Sequence, residues 1–179
     1  MPYAVEMFFD KESECKIKDI WQRLYDKDFC SYLIESGSRP HITLSVLNSI
    51  LMPDFKNKLN EFIKQRNAFG ISLGSIGTFP GDEGVIFTPP VVTKELLEFH
   101  RDFNNEFSDC REAMWNYYLP DLWVPHCTLA INVPKDKISG AFEYVLESFE
   151  PVKARIEEIG LVEFRPVKHL ACYKLFDRK

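Results

Sequence analysis

The sequence predicts an α+β fold with two lobes, in which a β-α-β-α-β unit is used twice about a pseudo-two-fold axis. The first observation is a repeated motif: Pro40–Leu44 reads Pro-His-Ile-Thr-Leu, and Pro125–Leu129 reads Pro-His-Cys-Thr-Leu. The second is an Ile-Gly pair, Ile76-Gly77 and Ile159-Gly160, which follows the motif histidine by 35 residues in the first half and by 33 in the second. The third is one amphipathic helix between motif and Ile-Gly pair in each half.

The elements of the first half follow from their apolar patterns. The run over residues 3–9 predicts a strand. One apolar stripe at helical spacing predicts the next helix, and another predicts the helix after the motif, with Pro53 in its first turn. A strand is predicted over residues 71–79, around the first Ile-Gly pair. The two stripes consist of Ile17, Ile20, Trp21 and Leu24, and of Phe55, Leu59, Phe62 and Ile63.

The second half repeats this order. A strand over residues 84–87 precedes a helix, and the motif is followed by a second helix that we expect Pro134 to open. Strands are predicted over residues 154–162 and, at the end of the chain, 170–176. The stripes of the two helices consist of Leu96, His100, Phe103 and Phe107, and of Ile138, Phe142, Val145, Leu146 and Phe149.

We expect one bilobal domain over residues 1–179, because no linker or low-complexity segment separates the halves. The repeat spans about residues 1–82 and 83–179. Each motif lies on the second strand of its unit, so the two motifs are expected to face each other across a cleft.

The net charge and the composition limit the binding partners and the cellular compartment that we expect for this protein. The net charge is −5 and no dense basic run occurs, which favours a short nucleotide or an RNA terminus over an extended duplex as partner. No apolar run approaches the length of a membrane span, and no signal peptide is predicted. The five cysteines lack paired Cys-x-x-Cys spacing, so we expect neither a disulfide framework nor a zinc site, and a cytoplasmic protein.

The repeated motif predicts a chemistry. Side chains alternate along a strand, so histidine and threonine of each motif share one face and the residues between them point to the core. Two such strands would gather two imidazoles and two hydroxyls around one small volume. Paired histidines can run acid–base chemistry near neutral pH, and threonines can hydrogen-bond an anion, which indicates phosphoester chemistry without a metal. A single His-x-Thr would be structural or incidental; two in a duplicated scaffold indicate a functional site.

The two motifs, their spacing, the run Ile76–Pro80 and the approach Leu119–Pro125 resemble the two-histidine (2H) phosphoesterase superfamily, in its 2′-5′ RNA ligase-like or RNA 2′,3′-cyclic phosphodiesterase branch. The resemblance covers nearly the whole chain. It implies antiparallel-type sheets lining a central groove, with helices outside. It also implies an enzyme without metal or cofactor that opens a 2′,3′-cyclic phosphate to a 2′-phosphate, sometimes reversibly as 2′-5′ RNA ligation. The acidic balance departs from relatives with a more basic groove.

The resemblance assigns His126 as general base and His41 as general acid, although the pseudo-symmetry makes both orders geometrically possible. Thr43 and Thr128 would donate hydrogen bonds to the non-bridging phosphate oxygens. Cys127 is interpreted as buried filler rather than a nucleophile.

Five further residues are candidates for substrate contact, each with an ordinary structural alternative. Phe79 and Trp123 could wall a base pocket or cover the core, and Arg39 could pair with phosphate. Tyr3 and Tyr173 lie on the first and last strands and could face the groove. Of the two other histidines, His100 is interpreted as a hydrogen-bonded residue at the core edge, and His169 as an exposed residue near a turn.

Three alternatives remain open. A related enzyme could act on 2′-5′ oligonucleotides or an ADP-ribose cyclic phosphate. A non-catalytic nucleotide-binding module would need no proton donors, so replacing a motif histidine would reduce only its affinity. A metallophosphoesterase would need clusters of Asp, Asn and His, which accompany neither motif. We expect a monomer whose partner is a small nucleotide or an RNA terminus carrying a cyclic phosphate.

Overall fold

The computed structural model describes residues 1–177, which form two antiparallel sheets with helices packed against them. The α+β prediction is confirmed. The strands are β1 (Tyr3–Phe9), β2 (His41–Leu47), β3 (Phe69–Leu73), β4 (Gly77–Thr78), β5 (Ile86–Thr88), β6 (Cys127–Ala130), β7 (Val152–Glu163) and β8 (Lys168–Lys174). The helices are α1 (Lys11–Asp26), α2 (Tyr32–Glu35), α3 (Met52–Ile63), α4 (Lys94–Glu106) and α5 (Ile138–Ser148), with 3-10 turns at Ser108–Ala113 and Asn116–Tyr118.

The larger sheet has the strand order β2-β1-β7-β3, and β8 pairs with the second part of the long strand β7. The odd-numbered residues Val5, Met7 and Phe9 of β1 lie in the hydrophobic core. Glu6 and Phe8 alternate with them and therefore point to the opposite face of the sheet. That opposite face carries the histidine and threonine of the first motif.

The smaller sheet has the order β4-β5-β6 and is assembled from both halves of the chain. Strand β4, from the first half, pairs with β5 from the second, and β7, from the second half, pairs with β1 from the first. Gly77 and Gly160, from the two Ile-Gly pairs, lie on these exchanged strands. The repeated Ile-Gly pairs therefore lie on the strands by which each half pairs with the other.

The starts of two helices and the buried faces of three are explained by particular residues in the sequence. Asp10 caps α1 by accepting from Ser13 N at 2.9 Å, and its other oxygen accepts from Arg155 N of β7 at 2.8 Å. Thr93 caps α4 by accepting from Leu96 N at 3.2 Å. The stripes predicted for α1, α3 and α4 are buried, with a cluster of rings between α3 and α4 at Phe55, Phe62, Phe99, Phe103 and Phe107.

Three expectations are corrected. The strand predicted over 71–79 is two strands, because the chain leaves the larger sheet after Leu73 and enters the smaller one at Gly77. Helix α5 begins at Ile138, a turn later than Pro134 suggested. Leu146 was expected in its buried stripe but is 63% exposed, on the outer face of that helix. In residues 1–177, no helix is long and apolar enough to cross a membrane.

Candidate active site

The two motifs lie on strands that face each other. Strand β2 is the edge of the larger sheet and β6 the edge of the smaller, and the two strands contact each other. Ile42 and Cys127, which follow the two histidines, are buried in the core. The histidines and threonines are partly exposed on the other face, so both pairs line the space between the sheets.

The same backbone irregularity follows the threonine in each motif. In the larger sheet Glu6 pairs with Thr43 and Val5 with Ser45, so Leu44 has no partner. In the smaller sheet the register likewise skips Leu129. Such β-bulges twist a strand locally and redirect its side chains, and the repeat has kept one at both motifs.

Both imidazoles are held in one tautomer by a carbonyl two residues earlier. His41 Nδ1 lies 2.6 Å from the Arg39 carbonyl oxygen, and His126 Nδ1 lies 2.7 Å from that of Val124. A carbonyl can only accept, so each Nδ1 carries the hydrogen. The Nε2 atom of each ring is therefore the one left for proton transfer.

His126 lies in an apolar environment. The rings of Phe79 and Phe87 stack at 4.4 Å between centroids, and the His126 ring centroid is 4.9 Å from the first and 5.3 Å from the second. Burial lowers the pKa of His126, and positive charge on His41 lowers it further. This imidazole is therefore neutral at neutral pH, with a lone pair on Nε2.

His41 has a carboxylate for a neighbour. Glu6 Oε1 lies 3.4 Å from His41 Nε2, and Glu6 is only 7% exposed. The Phe8 ring lies edge-on to His41 at 6.3 Å, and the Arg39 guanidinium covers Phe8 at 4.1 Å from its centroid. The two motif histidines therefore have opposite electrostatic environments.

The glycine of each Ile-Gly pair makes room for the aromatic ring beside a histidine. A Cβ on Gly160 would lie 2.2 Å from the Phe8 ring, and one on Gly77 would lie 2.9 Å from Cζ of Phe87. These are the rings that contact His41 and His126 respectively. Glycine at both positions lets a ring lie flat on the neighbouring strand.

In each half of the chain, one tryptophan indole donates a hydrogen bond to the motif strand of the other half. Trp123 Nε1 donates to the Thr43 carbonyl oxygen at 2.9 Å, and Trp21 Nε1 donates to that of Thr128 at 3.0 Å. Both threonines lie on edge strands, where alternate carbonyls lack a partner in the sheet. The indoles supply the missing donors. Trp123 also stacks on His100, with ring centroids 4.0 Å apart and planes within 3°.

A match between this sequence and a known protein family shows which family the chain belongs to. The family described as the 2′-5′ RNA ligase superfamily matches residues 10–167, which is most of the chain. The chain belongs to the 2′-5′ RNA ligase superfamily. The 2H phosphoesterase resemblance is thus confirmed, in its ligase-like branch. A comparison with curated proteins gives no match.

Solved structures show the same fold. TT0787 of Thermus thermophilus has a TM-score of 0.65 and 17% identity over 100% of both chains. E. coli LigT complexed with 3′-AMP has a TM-score of 0.59 and 15% identity over 98% of this chain and 99% of its own. A protein described as a phosphoesterase has a TM-score of 0.60 and 14% identity over 97% of each chain. This member of the superfamily therefore shares its two-sheet architecture with them.

In this superfamily member only some of the weaker candidates reach the cleft. Phe79 does, against His126. Trp123 lies beside the first motif, but His100 covers one face of its indole. The Arg39 guanidinium binds the carboxylates of Glu14 at 2.9 Å and Glu158 at 3.0 Å, so its charge is already paired.

The two tyrosines are not brought to the histidines. Tyr3 and Tyr173 lie on the core-facing side of their strands and pack against the hydrophobic core. The Tyr173 hydroxyl donates to the Lys56 carbonyl of α3 at 3.2 Å. Strand parity, rather than position on the first and last strands, decides which side chains line the cleft.

The interpretations of the remaining residues are confirmed. Burial raises the pKa of the Cys127 thiol to about 12, as expected of filler. His100 is 3% exposed, its Nε2 lies 2.9 Å from the Tyr118 carbonyl oxygen, and burial lowers its pKa. His169 is exposed. In the part of the chain that the structure describes, no group of three or more His, Cys, Asp or Glu side chains is placed to hold a metal ion.

Glu6 is the site residue that sequence reasoning missed. It is the single charged residue in the strand Tyr3–Phe9, where every other residue is apolar or aromatic. A lone carboxylate in such a run needs a buried partner, and that signal was available.

Proposed function

We propose that this protein is a phosphodiesterase that opens 2′,3′-cyclic phosphates to 2′-phosphates without a metal ion. The observation that carries the proposal is the pair of imidazoles, which expose Nε2 between the sheets in opposite environments. One imidazole is kept neutral by apolar rings, and the other lies beside a carboxylate. General acid–base catalysis of a phosphoester needs such an unlike pair.

The proposed mechanism assigns one step to each imidazole. His126 Nε2 takes a proton from water as the water oxygen attacks phosphorus. The bond from phosphorus to the 3′ oxygen breaks, and His41 gives its Nε2 proton to that leaving oxygen. His126 ends charged and His41 neutral, and exchange with solvent restores both. With a 5′-hydroxyl in place of water, the same two roles would form a 2′-5′ phosphodiester as the bond from phosphorus to the 3′ oxygen breaks, as in 2′-5′ RNA ligation.

Thr43 and Thr128 would stabilise the charge on the non-bridging oxygens of the phosphate. Their hydroxyls project from the same face as the two imidazoles, and their backbone is fixed by the bulges and the indole hydrogen bonds. Donors that are already in place when charge develops need no reorganisation during the reaction.

We propose a small nucleotide or an RNA terminus with a cyclic phosphate as the substrate. The net charge of −5 disfavours a long polyanion. The LigT structure with 3′-AMP shows that this fold can hold a mononucleotide in a relative. We further propose a cytoplasmic monomer acting as one domain, since both motifs are supplied by one chain and the five cysteines are free thiols. Light scattering of the purified protein tests the monomer.

The deciding experiment measures hydrolysis of the four nucleoside 2′,3′-cyclic monophosphates and of a short RNA ending in a cyclic phosphate. Reactions are run in EDTA, and the products are resolved as 2′- or 3′-phosphates. We expect 2′-phosphate from the wild type and loss of turnover by about 10²–10⁴-fold in His41→Ala and His126→Ala, with nucleotide affinity retained. Circular dichroism confirms that each variant is folded.

Other outcomes would lead to other functions. Turnover abolished by EDTA would indicate a metallophosphoesterase. A folded wild type that binds nucleotide but hydrolyses none of these substrates would require 2′-5′ oligonucleotides and ADP-ribose cyclic phosphates as the next substrates. Failure on those as well would indicate the non-catalytic binding module.

A further inference from the structure

Glu6 occupies the position at which the two halves differ in charge. On β1, Glu6 pairs with Thr43 on one side and with Gly160 on the other. On β5, Phe87 pairs in the same way with Thr128 and Gly77. The rows Thr-Glu-Gly and Thr-Phe-Gly are equivalent by the repeat, so a carboxylate beside His41 replaces a phenyl ring beside His126.

The Glu6 carboxylate is surrounded by groups that favour or tolerate its charge. The charges of His41 on β2, His169 on β8 and Arg39 in the segment before β2 favour the charged carboxylate, and burial together with the charge of Glu6 raises the pKa of Tyr118 in a 3-10 turn. The Arg39 charge is already shared by two other carboxylates. The imidazole of His41, at 3.4 Å, is therefore the principal cationic partner of Glu6.

Because Glu6 is buried, its pairing with His41 matters for the stability of both charges. Burial raises the pKa of Glu6, and the positive charges of His41, His169 and Arg39 oppose that rise. A buried carboxylate without a cation is costly, so the charged carboxylate and the charged imidazole stabilise each other. When His41 gives up its proton, the Glu6 carboxylate loses its cationic partner.

We propose that Glu6 is a positioning residue that pairs with Nε2 of His41, and so makes His41 the acid and His126 the base. This inference rests on the proposed function. Glu6 neither gains nor loses a proton in the net reaction. When His41 has passed its proton to the leaving oxygen, the unpaired carboxylate favours the return of a proton from solvent to that imidazole.

The first test compares pH profiles of kcat/KM for 2′,3′-cyclic AMP hydrolysis in the wild type, Glu6→Gln and Glu163→Gln. Glu163 is a matched control, because it is a buried carboxylate of the same sheet that pairs with Lys168 at 3.1 Å. We expect the alkaline limb of Glu6→Gln to move to lower pH by about one unit, since an opposite charge at this distance shifts a titration by that order. The acidic limb should stay, and Glu163→Gln should match the wild type.

A Glu6→Gln profile that overlays the wild type, or that falls by one factor at every pH, would overturn the proposal in favour of a structural role. A wild type that hydrolyses no cyclic phosphate would instead overturn the proposed function. In that case, or if Glu6→Gln does not fold, carbon-13 NMR titration of the Glu6 carboxyl in the wild type and His41→Ala decides. Removal of the imidazole should raise the pKa of Glu6; an unchanged titration would show that the two groups are not coupled.

Discussion

The indole nitrogen of Trp123 donates to the carbonyl oxygen of Thr43 at 2.9 Å, and these two residues come from opposite halves of the chain. Trp21 and Thr128 repeat the contact in the opposite direction at 3.0 Å. The two tryptophans have unrelated positions in the repeat, since Trp21 lies on α1 and Trp123 in the loop before the second motif. The feature that repeats is therefore the threonine carbonyl on an edge strand, which accepts a hydrogen bond from an indole in both halves.

Trp123→Phe should destabilise the fold and reduce turnover together. The phenyl ring keeps much of the stacking on His100 but leaves the Thr43 carbonyl without its donor, which costs about 1 kcal/mol of unfolding free energy. Urea unfolding and cyclic phosphate hydrolysis measure the two effects. Trp115→Phe is the matched control, because that indole donates only to the exposed Asn48 side chain; equal losses in both variants would contradict the proposed role.

Gly160→Ala should be among the most destabilising alanine substitutions in the larger sheet. The added methyl would meet the buried Phe8 ring, and such overpacking costs about 1–3 kcal/mol. Displacing Phe8 should also disturb His41 and lower turnover. Gly70→Ala on β3 is the control, since its Cβ would come no closer than 4.0 Å to its neighbours. Chemical denaturation should separate the two, and equal stabilities would show that Phe8 is free to move.

Thr43→Val and Thr128→Val should each reduce kcat by about 10²–10³-fold while leaving stability nearly unchanged, since valine keeps the shape and removes the anion donor. Thr88→Val, on β5, is the same change at a buried hydroxyl with no hydrogen-bond partner. It should leave kcat intact and unfolding free energy equal or higher, because no hydrogen bond is lost. A full rate in either motif variant would remove that threonine from the mechanism.

Phe79→Ala should move the acidic limb of the pH profile to higher pH. Burial lowers the pKa of His126 below the ordinary histidine value of about 6.5, so the neutral base persists into mildly acidic solution. Removing Phe79 admits water and returns the pKa toward that value, so the base is protonated at a higher pH. Phe79→Leu keeps the site apolar and should retain the wild-type limb; a shift of equal size in both variants would argue against burial as the cause.

The sequence was informative where one local pattern decided the structure. The repeated motifs and the helical stripes are enough to predict the α+β fold, the four longer helices and two motifs on facing strands, with His41 opening β2 and His126 directly before β6. Those predictions depend on periodicity, which the backbone imposes locally.

The remaining features depend on which strands pair across the chain. The run 71–79 looked like one strand because nothing local marks the change of sheet at Gly74. Their place on the first and last strands predicts Tyr3 and Tyr173 in the cleft, whereas their strand parity turns them to the core. All of β1 except its first residue is buried, so periodicity could not show which face of β1, and therefore whether Glu6, would lie beside His41.

The exchange of β4 and β7 between the halves has a consequence for assembly. A separated half would keep its own motif and the pairing of its first strand with the motif strand, but it would lose the other neighbour of that first strand. In the first half β3 and β4 would have no strand partner, and in the second half β7 would keep only β8. Two copies of one half could satisfy each other by trading those strands, as protomers do in domain swapping. The chain thus has the connectivity of a swapped dimer fused into one polypeptide, and its two motif histidines meet only when both halves have folded together.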